Sequence, residues 1–151
     1  MRDNVIVAYM MNGVPLPDGH GFPARLIVPG LYGMENVKWL TRISPVPADF
    51  RGYWQMRGWD GTAVINTMSR VDVPPRSADL LLEEEAFLGG VAFAGDRGVQ
   101  RVEVSTDEGE TWRDAEMSDP LSKYTWVLWT TTWTPLSTGR FSVVVRATDD
   151  R

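Results

Sequence analysis

The chain of 151 residues is long enough for one domain, or for one domain and part of a second, and it carries a net charge of −5. An acidic chain without a basic stripe lacks the Lys and Arg contacts that bind phosphates, so we expect no nucleic-acid partner. The absence of cysteine excludes disulfides, zinc–thiolate sites and cysteine nucleophiles within this chain. No apolar run reaches about 18 residues, so we expect no membrane span.

The first third of the chain predicts short strands separated by turns. Residues 5–11 form a nearly continuous apolar run, which indicates a strand buried on both faces or a short buried segment. A glycine-rich loop follows at 18–23, and residues 25–28 predict a second short strand that ends before a Pro-Gly pair. Residues 36–43 are the next strand candidate. Because their apolar positions do not alternate cleanly, we expect both faces of that strand to be covered.

The pattern changes in the second half of the chain. Residues 46–62 are rich in aromatic residues and glycine and fit no helical period, so we predict a long connection that packs by its rings. Beyond residue 77, short strands recur with turns between them and without helices, which favours an antiparallel β-sandwich. The strand candidates there are 89–94, 99–105, 124–133 and 139–148.

The strand predicted at 124–133 is aromatic on both faces. Trp126 and Leu128 share one face, whereas Val127 and Trp129 share the other. A strand at the surface of a sandwich is expected to be apolar on its core face only. We therefore predict that one face fills the core and that the other packs on another domain or another subunit.

Residues 105–112 read Ser-x-Asp-x-Gly-x-Thr-Trp, the pattern called the Asp-box in sialidases. One interpretation is a glycosidase, and the other is a hairpin turn in which Asp107 caps backbone N–H groups and Gly109 supplies a positive φ. We favour the turn, because sialidases repeat the box several times and it occurs once here. Adjacent acidic residues such as Glu83–Glu85 are interpreted as a solvated surface, since acid–base catalysis needs two separately tuned carboxylates.

Three cationic or titratable side chains near the glycine-rich loop are candidates for a binding site. His20 is the single histidine of the chain, which excludes a His–His metal site within it. Arg25 and Lys38 lie in or beside otherwise apolar strands, where a cation needs an anionic partner. Residue chemistry leaves two alternatives open, a structural ion pair with Asp18 or Glu35, or an anionic cofactor group.

The segment containing these residues resembles the late part of the molybdopterin-binding domain of the sulfite oxidase family. The combination is specific and covers three successive elements. They are His20-Gly21-Phe22-Pro23-x-Arg25, Pro29-Gly30-x-x-Gly33 and Val37-Lys38-Trp39.

The second half resembles the dimerisation domain of the same family, an immunoglobulin-like sandwich, and the bacterial members are the most similar. The matching stretches are 68–74, 95–105, 124–129 and 143–149. The resemblance implies a mainly β fold with two parts. Residues 1–66 would be an incomplete piece of a mixed α/β molybdopterin-binding domain, and residues 67–151 an immunoglobulin-like antiparallel β-sandwich that ends earlier than in family members.

The resemblance also implies which residues contact the cofactor. His20 and Arg25 match positions that contact molybdopterin, and Asn36, Val37 and Lys38 match a cofactor-binding stretch. Arg25 and Lys38 would neutralise the phosphate of molybdopterin, while His20 and the glycine-rich loop would offer hydrogen-bond donors.

The family binds molybdenum through an upstream cysteine thiolate, and this sequence has no cysteine. No catalytic or metal-ligating residue is therefore assigned in this chain. We expect a truncated chain, a fragmentary gene product or one piece of a split enzyme. Alone it would be inactive and without the molybdenum cofactor that the intact parent carries.

Two functional hypotheses remain. The first is a fragment of a molybdenum-cofactor oxidoreductase that transfers an oxygen atom to or from sulfite or a similar small oxide. The second is a non-catalytic immunoglobulin-like module for dimerisation or interaction. The expected partners are a second copy, bound through the sandwich, and the missing N-terminal part of the cofactor domain. The sequence identifies no electron acceptor, and the bacterial resemblance implies a periplasmic location.

Overall fold

The computed structural model of this protein describes residues 4–46 and 50–150. The chain divides into two compact units, Met1–Ile65 and Asn66–Arg151. Every strand pairing in the described ranges is antiparallel, which confirms the prediction of a mainly β protein. The helices within those ranges are short 3₁₀ turns, and none has the length and apolar character that a membrane crossing requires.

The first unit contains four short strands in two small sheets. Strands β1 and β4 pair with each other, and β2 and β3 form a hairpin around Asn12-Gly13. The strands are β1 (Ile6–Ala8), β2 (Met10–Met11), β3 (Val14–Pro15) and β4 (Arg25–Ile27), with 3₁₀ helices at Asp18–His20, Gly33–Glu35 and Gln55–Arg57.

The predicted burial of residues 5–11 is wrong. The run is divided between β1 and β2, and Ile6 and Val7 are each about half exposed. β1 pairs only with β4, so this sheet has two strands and few side chains pack over it. Among the described residues of the first unit, Leu16 and Ala63 are the only apolar side chains that are buried.

The strand predicted at residues 36–43 is also wrong. A 3₁₀ helix ends at Glu35, and Trp39 has a φ of 54°, which lies in the left-handed region and interrupts an extended strand. Instead of a continuous β-ladder, two backbone hydrogen bonds join this segment to β4 and the residue before it. They run from Leu26 N to Val37 O at 2.8 Å and from Leu40 N to Ala24 O at 2.8 Å. The segment therefore runs beside β4 without joining its sheet.

The predicted connection at 46–62 includes residues 47–49, which lie outside the described ranges. In the rest of it, Tyr53, Trp54 and Trp59 contact one another through their rings but stay about half exposed, and Phe50 is 75% exposed, so the predicted ring packing is confirmed only in part. The centroids of Tyr53 and Trp54 are 5.1 Å apart, and those of Trp54 and Trp59 are 5.3 Å apart. The guanidinium of Arg57 lies 3.4 Å from the centroid of the Tyr53 ring.

The second unit is a two-layer sandwich. One sheet has the strand order β5-β6-β10-β9 and the other has the order β11-β7-β8. The predicted strand at 99–105 has the predicted bounds, whereas the strands predicted at 124–133 and 139–148 begin later than expected. The strands are β5 (Met68–Val73), β6 (Ala86–Phe93), β7 (Val99–Ser105), β8 (Arg113–Asp114), β9 (Glu116–Met117), β10 (Val127–Trp133) and β11 (Val144–Asp149).

The core of the sandwich lies between these two sheets. Trp129 is 0% exposed and packs with Leu88 and Ala92 of its own sheet and with Val102 and Val104 of the opposite sheet. Trp129 needs Gly90 beside it, because a Cβ at residue 90 would lie 2.9 Å from the indole ring and 1.9 Å from the Arg70 carbonyl oxygen. The antiparallel sandwich is therefore confirmed, and its immunoglobulin-like type stays a prediction.

Strands β5 and β11 join the two sheets along one side of the sandwich. Ser69 Oγ donates to the carbonyl oxygen of Val145 at 3.1 Å. Near the end of the same pair of strands, Arg97 Nε donates to Asp149 Oδ2 at 2.5 Å, and its Nη2 donates to Thr67 Oγ1 at 3.0 Å. These polar contacts fix the two sheets relative to each other at an edge where no strand pairing does so.

Candidate functional site

The first unit brings the predicted cations Arg25 and Lys38 to the same place. Arg25 begins β4 and pairs with Ala8 of β1. The hydrogen bonds that join Leu26 to Val37 and Leu40 to Ala24 hold residues 37–40 alongside β4. Lys38 therefore lies next to Arg25, although it follows Arg25 by 13 positions in the sequence.

Both cations bind the loop at residues 18–21. Lys38 Nζ donates to the carbonyl oxygen of Gly19 at 2.6 Å, and Arg25 Nη1 donates to the carbonyl oxygen of His20 at 3.2 Å. The indole Nε1 of Trp39 donates to the carbonyl oxygen of Asp18 at 3.0 Å. Three consecutive loop carbonyls are therefore held by side chains that extend from β4 and the segment beside it.

Gly21 makes this close packing possible. Its φ is 112°, which an L-residue with a side chain rarely adopts. A Cβ at this position would lie 3.1 Å from the Cβ of Lys38 and 3.2 Å from the Cβ of Arg25. A side chain at residue 21 would therefore crowd the Cβ atoms of both residues, so glycine allows the loop to lie this close to them.

The structural ion pair considered for these cations does not form. Within the described ranges, neither Arg25 nor Lys38 has a carboxylate at ion-pair distance. Glu35 instead accepts a hydrogen bond from Gln55. Arg25 Nε is buried and has no hydrogen-bond acceptor among the described residues. Two positive charges and one unused donor are therefore available to an anionic ligand.

Asn36 and Val37 have structural roles beside the cations. Asn36 Oδ1 accepts from the backbone N–H of Val28 at 2.7 Å, and its Nδ2 donates to the carbonyl oxygens of Leu31 and Tyr32 at 3.3 and 3.1 Å. Val37 is about half exposed and contributes its carbonyl oxygen to Leu26. Asn36 thus fixes the turn after β4, which places Val37 and Lys38.

Sequence reasoning placed His20, Arg25 and Lys38 in one site, and the structure brings these residues together. The His20 side chain is exposed, and its backbone carbonyl is the group that Arg25 binds. Trp39 was missed as a site residue. Its position directly after Lys38 in the Val-Lys-Trp element could have indicated that it belongs to the site. Its hydrogen bond to Asp18 cannot be predicted from a sequence pattern.

The Asp-box forms a self-capped turn in the second unit. Asp107 Oδ1 accepts from Ser105 Oγ at 2.6 Å and from the Thr111 N–H at 2.9 Å, and Asp107 Oδ2 accepts from the Thr111 hydroxyl. The hydrogen bonds from Ser105 and Thr111 lower the pKa of Asp107 to about 2. Trp112 Nε1 closes the turn on the carbonyl oxygen of Gly109 at 2.9 Å. The carboxylate is fully used in capping, as the turn interpretation requires.

Two family models match the chain, and together they span most of it. The first is described as the oxidoreductase molybdopterin binding domain and matches residues 1–54. The second is described as the Mo-co oxidoreductase dimerisation domain and matches residues 60–151. The site built from Arg25 and Lys38 lies within the first match, and the sandwich lies within the second.

Several known proteins are similar to the chain. The mitochondrial sulfite oxidases of Macaca fascicularis and Homo sapiens are 36% and 35% identical to it, over 97% of the chain and 31% of each relative. The NAD(P)H nitrate reductase of Hordeum vulgare is 33% identical over 97% of the chain and 20% of the relative. The chain therefore spans less than a third of the length of these relatives.

A solved structure shares the fold. The sulfane dehydrogenase SoxCD from Paracoccus pantotrophus superposes with a TM-score of 0.77 at 26% identity, over 98% of this chain and 41% of that chain. The fold and the two family matches define a protein of the molybdopterin-binding oxidoreductase class. Within that class, the chain belongs to the sulfite oxidase family.

Proposed function

We propose that the first unit forms the phosphate-binding part of a molybdopterin site, in a parent oxidoreductase that acts on sulfite or a similar small oxide. The convergence of Arg25 and Lys38 on loop 18–21, without a carboxylate partner among the described residues, carries this proposal. The residues fit the phosphate of molybdopterin because Arg25 Nε is a buried donor with no described acceptor. Gly21 allows the loop to approach the Cβ atoms of both residues closely.

Each residue has a distinct role in this proposal. Arg25 would present its planar guanidinium to two phosphate oxygens, and Lys38 would add a compact positive charge. The exposed ring of His20 would donate a hydrogen bond to the cofactor, while Asn36 and Val37 would hold the segment in place. When bound, the cofactor supplies oxygen-atom transfer coupled to electron transfer, and the protein binds and orients it.

The chain alone is proposed to be inactive. It contains no cysteine, so the thiolate that binds molybdenum in the family would have to come from outside these 151 residues. We expect the purified chain to contain almost no molybdenum by elemental analysis and to leave sulfite unchanged. A content approaching one molybdenum per chain, or turnover of sulfite, would contradict this part of the proposal.

Binding of a pterin phosphate tests the site itself. Fluorescence titration of the purified chain with a fluorescent 6-alkylpterin phosphate should give weak saturable binding. Arg25→Ala and Lys38→Ala should each weaken it by roughly tenfold or more, since a charge-assisted hydrogen bond contributes about 1.5–3 kcal/mol. Arg42→Ala is the matched control, because it removes one exposed positive charge from the same unit outside the cluster.

Two outcomes of the titration would count against the assignment. No measurable binding up to roughly 1 mM would mean that the cluster is not a phosphate site in this chain. Equal weakening by Arg42→Ala would mean that binding reflects only the overall charge of the unit.

A second role, self-association through the sandwich, is compatible with the first. The observation that favours it is an exposed apolar surface on the sheet of β5, β6 and β10. Sedimentation equilibrium should show an average mass that rises with concentration towards twice the chain mass of 17.0 kDa. A constant mass of one chain would argue against it. The functional division near residue 66 and a periplasmic location are also proposed, and cell fractionation of the source organism would test the location.

A further inference from the structure

The carboxylate nearest to Lys38 in the sequence is that of Glu35, three positions before it, and it is bound by an amide. Gln55 Nε2 donates to Glu35 Oε1, and the contact is half-buried. Three residues span at most about 11 Å when fully extended, which is within the combined reach of a glutamate and a lysine side chain. Gln55 therefore holds a carboxylate that has a cation of the candidate site within reach.

The local backbone fixes the direction of the Gln55 side chain. Gln55 begins a 3₁₀ helix that ends at Arg57, and Arg57 Nη1 donates to the carbonyl oxygen of Tyr53 at 3.2 Å. The amide packs directly over Gly52, where a Cβ would lie 2.7 Å from Gln55 Oε1. The amide is thus held on a short braced turn, and glycine at residue 52 leaves room for it.

The turn that carries Glu35 is also held by backbone hydrogen bonds that do not involve Gln55. The N–H of Tyr32 donates to the carbonyl oxygen of Ala63 at 2.8 Å, and the N–H of Ile65 donates to the carbonyl oxygen of Gly30 at 3.0 Å. Removing the Gln55 amide would therefore release the carboxylate while these bonds keep the turn in place.

A released carboxylate would compete with an anionic ligand. Lys38 and Arg25 bind the carbonyl oxygens of loop 18–21, and in the part of the chain that the structure describes no carboxylate lies at ion-pair distance from either. An ion pair between Glu35 and Lys38 would neutralise one of these two charges. An amide is suited to prevent this, because it donates hydrogen bonds to a carboxylate without adding a charge.

We propose that Gln55 is a positioning residue that keeps the Glu35 carboxylate away from Lys38 and so preserves the Lys38 charge for the phosphate of the cofactor. The inference rests on the proposed function of Arg25 and Lys38 as a phosphate site. It adds a residue that acts on this site through Glu35 and has no contact with the ligand. Without Gln55, Glu35 pairs with Lys38 and opposes binding of the phosphate.

The pterin phosphate titration of the full chain tests this role through a charge rescue. Gln55→Ala should weaken binding by about fivefold, the effect of one exposed ion pair that competes with the ligand. Glu35→Gln keeps an acceptor for Gln55 and should not weaken binding. The double variant Glu35→Gln, Gln55→Ala should bind within about twofold of the wild type, because no carboxylate is released. Gln100→Ala is the matched control, since it removes an exposed glutamine of the second unit.

A second measurement follows the cation itself and needs no ligand. Lys38 and Lys123 are the two lysines of the chain, so carbon-13 labelling of lysine gives two sets of side-chain signals, and Lys123 in the other unit is an internal reference. The Lys38 Cε signal should move in Gln55→Ala and return in the double variant with Glu35→Gln. Hydrogen exchange of the Leu26 amide, which binds the segment beside β4, should stay slow in both variants.

The outcomes separate this inference from the proposed function. Weaker binding in Gln55→Ala that Glu35→Gln restores supports the positioning role. Binding that is equally weak in the double variant would mean that Gln55 only holds the backbone, and unchanged binding in Gln55→Ala would also overturn the role. A wild-type chain that binds no pterin phosphate overturns the proposed function, and the Lys38 signal then decides whether Gln55 restrains Glu35. If Gln55→Ala fails to fold, Gly52→Ala displaces the amide and should move the Lys38 signal in the same direction.

Discussion

Arg146 binds both carboxylate oxygens of Glu103, its partner across strands β11 and β7. Nε donates to Oε2 at 2.7 Å and Nη2 donates to Oε1 at 2.9 Å. The guanidinium also lies 4.1 Å from the centroid of the Trp112 ring, next to the Asp-box turn. Glu103 is 5% exposed, so this fork supplies the hydrogen bonds that a buried carboxylate requires.

Glu103→Gln should make unfolding less dependent on pH. The hydrogen bonds from Arg146 hold the pKa of Glu103 below its ordinary value of 4.5. A lowered pKa in the folded state means that the carboxylate stabilises the fold above pH 4.5, and that this contribution is lost as the pH falls through the folded pKa. Urea midpoints at pH 7 should therefore favour the wild type, and the difference should narrow by pH 3.

The control for that series is Glu110→Gln, which neutralises an exposed carboxylate near the same strands. It should change the midpoints little at either pH. If the Glu103→Gln difference stayed constant between pH 7 and pH 3, the carboxylate charge would not be what Arg146 stabilises.

Asp107→Asn should destabilise the Asp-box turn at pH 4 and above, and this loss of stability should disappear as the pH falls towards 2. The pKa of Asp107 is lowered from 3.8 to about 2, chiefly by the hydrogen bond from Ser105. The wild-type carboxylate therefore keeps its stabilising effect down to about pH 4 and loses it as the pH approaches 2. Urea midpoints should differ by a constant amount from pH 7 to pH 4 and converge below that.

Glu108→Gln is the neighbouring control for this prediction, since Glu108 is exposed and caps nothing in the described turn. Asp107→Asn should also leave pterin phosphate binding unchanged, because Arg25 and Lys38 lie in the other unit. A loss of pterin binding in Asp107→Asn alone would contradict the assignment of a purely structural turn.

Trp129→Ala should cost far more stability than Trp126→Ala. Trp129 is fully buried between the two sheets, and removing a core tryptophan typically lowers the free energy of unfolding by about 3–5 kcal/mol. Trp126 is half exposed, so its loss should cost about 0.5 kcal/mol or less when the chain is dilute enough to be monomeric. Equal costs in urea denaturation would mean that Trp129 does not organise the core.

Asn36→Ala should lower both local stability and pterin phosphate binding. The Asn36 amide makes three hydrogen bonds to the backbone of residues 28–32, and their loss should cost about 1–3 kcal/mol. Asn36→Asp keeps the acceptor for the Val28 N–H but loses the two donated bonds, so it should be intermediate. Hydrogen exchange of the Val28 amide measures the first effect, and the pterin titration measures the second. A protected Val28 amide in Asn36→Ala would contradict the positioning role.

Sequence patterns predicted much of the second unit, because the two-residue period of a strand is visible in several of its segments. Residues 101–105 alternate between polar and apolar side chains, and β7 has the predicted bounds of 99–105. The two apolar faces of the strand at 124–133 also separated as predicted, with Trp129 in the core and Leu128 exposed. Each of these features depends on the two-residue period of a strand, which the sequence carries locally.

Sequence patterns predicted the first unit poorly, because its backbone conformation depends on single residues and side-chain hydrogen bonds rather than on a regular apolar period. The segment 36–43 is apolar enough to suggest a strand, but the left-handed φ of Trp39 and the side-chain bonds of Asn36 decide its course. Apolar character at residues 5–11 predicted burial, yet β1 belongs to a two-stranded sheet and stays half exposed. Composition alone does not say whether a neighbouring element will cover a strand.

The sequence by itself determined the family, the mainly β character and the residue types available for binding an anion. The tertiary structure decided how those residues are used, because the contacts that matter join distant positions. Lys38 reaches Gly19 across 19 residues, and Arg146 reaches Glu103 across 43. Whether a cation pairs with a carboxylate, as Arg146 does, or with backbone carbonyls and no described carboxylate, as Arg25 and Lys38 do, depends on which groups the fold places within hydrogen-bond distance.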